Sequence, residues 1–437
     1  MRTQNRVMCL LLVLVAAVSI VASGMISAGA SIAAAGDSSQ VVSVSVADTT
    51  GSTSADWPNW GGPAHDLNLR QGTLSTEWPK DRLPVAWTRD IGIGFSSMSV
   101  VGGRMMAMGH VDGNEQVWCL DAESGEVHWK HTYPCRLIDN LHEGGPCSTP
   151  TIDGNLVYTL GKEGQLFCLK MADGSVVWQK DLQQDLGVKL PEWGFSSSAR
   201  ILGKQLILEA GRVVSYDKTN GVKLWQTELH DAGYGSVATF DDQGRTLLAT
   251  LDCNGLRIVN SADGTEVAFK EWKSPYQTNS TTPIIIDDTI FISTGYKVGC
   301  GMFRFRNDSL EPIYVNHEMR NHFSNSVLQD GHFYGFDGDS HSSRNVMLTC
   351  LEAATGKSVW KQRGLGCGSL MIVDGRLLVL SDQGDLALVE ASPSGYKELA
   401  RSPFLEGRCW TVPIVSSGSV YGRNAAGKLV CAGLPWK

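Results

Sequence analysis

The sequence predicts an all-β chain folded as an eight-bladed β-propeller of four-stranded antiparallel blades. Three observations predict it. A small-Gly turn followed four residues later by a bulky aromatic recurs along the chain. Short β-rich runs separated by hairpin turns fill the space between copies. A strand missing from the last copy has a candidate at the other end of the chain.

The recurrent turn is Ser124-Gly125…Trp129, Asp173-Gly174…Trp178, Asn220-Gly221…Trp225, Thr355-Gly356…Trp360 and, one residue longer, Asp263-Gly264…Phe269. The aromatics are spaced by 49, 47 and 44 residues from Trp129 through Trp178 and Trp225 to Phe269. A period of roughly 45 residues is the length of one four-stranded propeller blade. Within the second unit, Cys147-Ser148-Thr149-Pro150-Thr151-Ile152 leads to the turn Asp153-Gly154-Asn155 and the run Leu156–Leu160. Lys162-Glu163-Gly164 then leads to Leu166–Leu169, and Asp173-Gly174 to Val176-Val177-Trp178. Asp-Gly and Asn-Gly between alternating apolar runs are strong hairpin signals. The runs are too short for helices and carry the β-branched and aromatic residues that fit a pleated surface.

Eight units begin near Ser96, Cys147, Ser196, Gly235, Thr281, Ser324, Gly368 and Trp410. The eighth lacks its outer strand, and Leu83-Pro84-Val85-Ala86-Trp87 carries the matching Val-x-Trp ending. Pairing the two ends of the chain leaves no open sheet edge. Residues 57–437 therefore form one closed propeller.

The repeat ending in Ala122-Glu123-Ser124-Gly125-Glu126-Val127-His128-Trp129 and Ala354-Thr355-Gly356-Lys357-Ser358-Val359-Trp360 resembles the pyrroloquinoline-quinone-like (PQQ-like) repeat family. The resemblance covers about Trp57 to Trp436, and Trp57-Pro58-Asn59-Trp60-Gly61-Gly62-Pro63 looks like the opening motif of many secreted members. It implies the fold. For function it points two ways, because the family contains quinoprotein alcohol dehydrogenases and also the non-enzymatic propeller lipoprotein of outer-membrane barrel assembly.

Arg2 and Arg6 precede an apolar stretch, and Ala28-Gly29-Ala30 offers a small-residue cleavage site, so residues 1–30 read as a secretory signal peptide. The alternative is an uncleaved membrane anchor, since no charge occurs between Arg6 and Asp37. Residues 31–56 are a flexible leader rich in Ser, Thr and Ala. The expected location is secreted or periplasmic, with no membrane span after cleavage. A formal charge of −8 without a basic run argues against nucleic acid.

Cys119, Cys168, Cys350 and Cys431 occupy the same third-strand slot of four units, which marks them as packing residues. Cys135, Cys147, Cys367 and Cys409 fall in loops, and an oxidising compartment permits bridges among them in any of three pairings, one of which is Cys135–Cys147 with Cys367–Cys409.

Connections from one blade's outer strand to the next blade's inner strand reach the central channel. Here they carry Arg136, His142 and Glu143, then Trp193 and Tyr234, then Tyr276 and Asn279, then His322 and Asn325, then Arg408 and Trp410. Loops converging on one axis make a concave polar mouth with aromatic walls, the expected site for a protein or glycan partner. No cofactor is predicted. The alternative, implied by the resemblance, is an oxidoreductase with PQQ and calcium in the mouth, for which Glu143, Asn279 and Trp193 supply the residue types. The chain contains neither adjacent cysteines nor a haem-attachment motif.

Overall fold

A computed structural model describes residues 56–70, 72–79 and 81–437. The expected signal peptide lies outside the described residues, as does the leader apart from Asp56. No described helix is long and apolar enough to cross a membrane. The chain is an eight-bladed propeller of antiparallel sheets. The inner strands begin at Ser99, Thr151, Arg200, Ala238, Ile284, Val327, Ser369 and Ile414, each a few residues after the expected start of its unit. Blades 1 to 7 are residues 99–134, 151–181, 200–226, 238–271, 284–316, 327–362 and 369–403. Blade 8 takes three strands from 414–433, and its outer strand is Val85–Asp90, paired with Lys428–Gly433 so that Trp87 faces Cys431. The chain ends therefore close the ring.

The recurrent turn has a packing cause. Trp129, Trp178, Trp225 and Trp360 each sit across from the third-strand slot of their own blade: Cys119, Cys168, Ser215 and Cys350. Each indole then reaches into the next blade. Trp129 donates its N–H to Met171 O at 3.0 Å, Trp178 to Lys218 O at 2.9 Å, and Trp225 to Ser261 O at 3.1 Å. For Trp129, Trp178 and Trp225 the ring lies over the turn glycine of that blade. A Cβ on Gly174 would stand 2.5 Å from the Trp129 ring, and one on Gly221 2.8 Å from Trp178. Trp87 against Gly125 closes the same lock at the ring seam. The small-Gly turn is thus a socket for the preceding blade's tryptophan.

Blade 4 departs from the expectation. The residue in its tryptophan slot, across from Ile258, is Ala268. Phe269, one position on, turns to the other face, 41% exposed, with Arg257 over its ring. The longer turn shifts the alternation by one, and a one-residue shift moves a side chain across the sheet. Blade 5 offers no glycine socket there, since its turn is Asn307-Asp308, both at positive φ. Tyr314 takes the slot in blade 5 and packs on Gly356, with its hydroxyl donating to Ala353 O at 3.1 Å.

The segment 57–70 plugs the channel. Trp57 pairs with Val100 of blade 1, and Pro58 O accepts the Ile152 N–H of blade 2 at 2.8 Å. Trp60 donates to Thr282 Oγ1 ahead of blade 5 at 3.2 Å. Asn68–Leu69 adds a fifth, parallel strand to the inner edge of blade 7. One short stretch thereby fastens three inner strands and the connection into a fourth.

Candidate functional site

The mouth lies above Trp60, where the connections into the inner strands meet the turns between second and third strands. It encloses about 630 Å³. Trp60 forms the floor. Phe95 stacks on Trp410 with ring centroids 5.5 Å apart, and Phe323 packs against Trp410 at 4.5 Å. Trp193 meets Tyr234 edge to face at 5.8 Å, and Tyr296 meets His322 at 4.7 Å. Such offset and edge contacts fix the rings relative to one another.

Polar groups are tied to this wall. Arg408 lies 4.4 Å above the Trp410 ring and binds Glu143 at 2.8 Å. Lys162 is 1% exposed; its Nζ donates to Trp193 O and approaches Cys147 Sγ at 3.1 Å. His142 Nδ1 accepts the Gly144 N–H at 2.9 Å, and His322 Nδ1 accepts the Ser340 N–H at 3.1 Å. A ring nitrogen that accepts must be bare, so both imidazoles are neutral with the proton on Nε2. Burial acts in the same direction and lowers each to about 4, helped at His142 by Lys162 and Arg408. The buried Ser324 hydroxyl in the lining has no hydrogen-bond partner.

Of the residues expected from sequence, His142, Trp193, His322, Arg408, Trp410 and Tyr234 line the mouth. Glu143 reaches its rim through Arg408, and Tyr276, 59% exposed, stands over Tyr296 at 4.8 Å. Three candidates belong elsewhere. Arg136 is out on the surface, bound to Glu163 at 2.6 Å. Asn279 is fully buried; its amide donates to Asp252 O and Trp272 O and accepts from Thr294 Oγ1, so it pins a connection. Asn325 clamps the Thr282 backbone through both amide atoms. Conversely, Phe95 and Phe323 sit in the same class of connection and were readable there. Lys162, Tyr296 and His341 come from the other set of turns, and Trp60 from the plug.

Neither expected disulfide is formed, because all ten described cysteines are free thiols. Cys135 Sγ turns to Arg136 O and Cys147 Sγ to Lys162, so the two face different neighbours. Cys367 and Cys409 are each held to Asp382 by a backbone N–H. Asp337, in the Asp337-Gly338-Asp339 turn, is buried between Arg320 at 2.6 Å and Lys361 at 3.1 Å. Among the described residues no group of three or more His, Cys, Asp or Glu is placed to hold a metal ion. Glu143, Asn279 and Trp193 do not come together: the first is neutralised by Arg408 and the second is buried in backbone contacts. The donor set for a quinone-bound calcium ion is therefore not assembled by these residues.

A family model described as outer membrane protein assembly factor BamB matches residues 82–309. No curated protein matches the chain. Among solved structures, BamB from Moraxella catarrhalis is similar at 14% identity and a TM-score of 0.60, covering 80% of this chain and 100% of that one. A quinohemoprotein alcohol dehydrogenase from Comamonas testosteroni is similar at 13% identity and a TM-score of 0.63, covering 87% of this chain and 81% of that one. The computationally designed Ika8 protein follows at 10% identity and 0.55, covering 81% of this chain and 100% of that one. At these identities the likeness is one of fold.

Proposed function

We propose, from the premise that the chain belongs to the outer membrane protein assembly factor BamB family, that it is a binding propeller whose mouth receives a segment of a partner protein. The observation that carries this reading is an aromatic cavity with an apolar lip. Leu141 is 84% exposed and Tyr276 59% exposed beside it. Exposed apolar side chains around a preformed pocket fit a protein partner better than a sugar, whose many hydroxyls need matching polar groups. One aromatic side chain inserted among Phe95, Trp193, Tyr296 and Trp410 would bury ~150–250 Å². At ~25 cal/mol per Å² that is about 4–6 kcal/mol before the cost of ordering the segment. On the same premise the protein works outside the cytoplasm, in the periplasm or beyond, delivered by residues 1–30.

The test is selection of a displayed random-peptide library on the purified chain. Enriched peptides should share an aromatic or aliphatic anchor, and should bind Leu141→Glu or Trp410→Ala at least ~10-fold more weakly. Peptides that bind both variants as well as wild type would overturn the reading. So would a protein that ignores peptides but shows cofactor absorbance and dye-linked alcohol oxidation once PQQ and calcium are added, or that binds glycans instead.

A further inference from the structure

A second chamber, of about 350 Å³, lies beyond Trp60, further along the inner strands of blades 3 to 6. The plug forms one wall through Trp60, His65, Asp66 and Arg70. Its chemistry differs from the mouth because it holds an arginine whose Nε has no acceptor.

Arg200 opens the inner strand of blade 3. One guanidinium nitrogen donates to Thr239 Oγ1. Its Nε is buried and has no hydrogen-bond partner. Among the described residues no carboxylate pairs with Arg200, whereas Arg70 and Asp66 at the same chamber neutralise each other. Burial alone lowers Arg200 to about 10, which still leaves it charged at neutral pH. The same charge adds to burial in lowering His65 to about 4.

The hydroxyls point to the same conclusion. Thr239 Oγ1 already accepts from Arg200, so its own proton is free to be given. Thr282 Oγ1 accepts from both Trp60 Nε1 at 3.2 Å and the Ser236 N–H at 3.0 Å, so its proton is free as well. At His65, the Asn59 amide satisfies its surroundings when its nitrogen donates to His65 Nδ1 at 3.0 Å, to Trp60 O and to Gly62 O. One half-buried cation with a buried, unpartnered Nε and two hydroxyl protons thus line a cavity whose one carboxylate among the described residues, Asp66, is taken. A buried guanidinium N–H left without an acceptor is unfavourable, and an anion there would supply one.

We propose that this lower chamber is a binding site for a small oxyanion, a phosphate or a carboxylate, held by the Arg200 guanidinium and the Thr239 and Thr282 hydroxyls. Planar or tetrahedral oxygens match the guanidinium fork. The proposal is independent of what the mouth binds.

Titration calorimetry on the full chain tests it, with inorganic phosphate and acetate as separate probes at constant ionic strength in chloride buffer. One probe at least should bind at a single site, and Arg200→Met should weaken it by about tenfold or more. Phosphate preferred over acetate identifies a phosphate site, and the reverse a carboxylate site. Melting supplies a second readout. The bound anion should raise the wild-type melting temperature and leave that of Arg200→Met unmoved. In anion-poor buffer Arg200→Met should melt no lower than wild type, because it removes a buried N–H that has no acceptor. Absence of binding by both probes, binding unchanged in Arg200→Met, or a lower anion-free melting temperature for that variant would each overturn the proposal.

Discussion

Replacing Gly174 by Ala tests how the blades are locked together. Two terms add. Gly174 has φ of +72°, where an alanine costs ~1–2 kcal/mol, partly offset by ~0.4–1 kcal/mol from a less flexible unfolded chain. The new Cβ would lie 2.5 Å from the Trp129 ring, inside a closed interface, and such overpacking costs ~1–3 kcal/mol. The expected loss is therefore about 2–4 kcal/mol. Gly103 is the control: its φ is +76°, but nothing lies within 4 Å of its added Cβ, so Gly103→Ala should cost only about 1 kcal/mol. The assay is urea denaturation of both variants, alone and combined with Trp129→Ala. Without the indole, Gly174→Ala should fall to the cost of the control, giving a coupling of about 1–3 kcal/mol. Equal costs at Gly174 and Gly103, or no change when Trp129 is removed, would refute the socket.

Other outcomes follow from the same contacts. Ser215 fills the slot that holds cysteine in four other blades, and its hydroxyl is buried without a partner, so Ser215→Cys should raise stability by about 1 kcal/mol, read as a higher urea midpoint. His65, His142 and His322 have folded values near 4 against an ordinary 6.5. Between those limits the unfolded chain holds more protons, so stability is full above pH 6.5 and declines as pH falls toward 4. Urea curves across that window should show the decline, and His65→Gln or His322→Gln should flatten it. Cys147 is the one cysteine among the ten described that is not buried, and burial raises thiols such as Cys119 and Cys409 to about 12. Iodoacetamide on the native protein should therefore label Cys147 first, as read by peptide mass spectrometry.

The blades were legible in sequence because each carries its own local signals: a turn, a short alternating strand, an aromatic at fixed distance. Ring closure was legible because the eighth unit lacked one strand and Val85-Ala86-Trp87 supplied its pattern. The plug was not, since its contacts run from Trp57 to Val100, Trp60 to Thr282 and Asn68 to Ile372, and no local periodicity encodes them. The mouth was half legible. Loop residues ahead of inner strands were found by position, yet position alone cannot separate Trp193, which faces the cavity, from Asn279, which braces the backbone behind it. Phe269 misled for a different reason: composition matched the repeat while the longer turn moved the slot to Ala268.

The two ends of the described chain meet the propeller at the same face. Asp56 accepts the Gly102 N–H in the first hairpin turn of blade 1, and Trp436 donates to Gly418 O in the first hairpin turn of blade 8. Those turns follow the inner strands, whereas the mouth precedes them. A tether attached at either end, whether a surface, a label or a fused domain, therefore holds the propeller by its back and displays the aromatic cavity outward. Immobilisation through either terminus should leave the cavity as open as it is in solution.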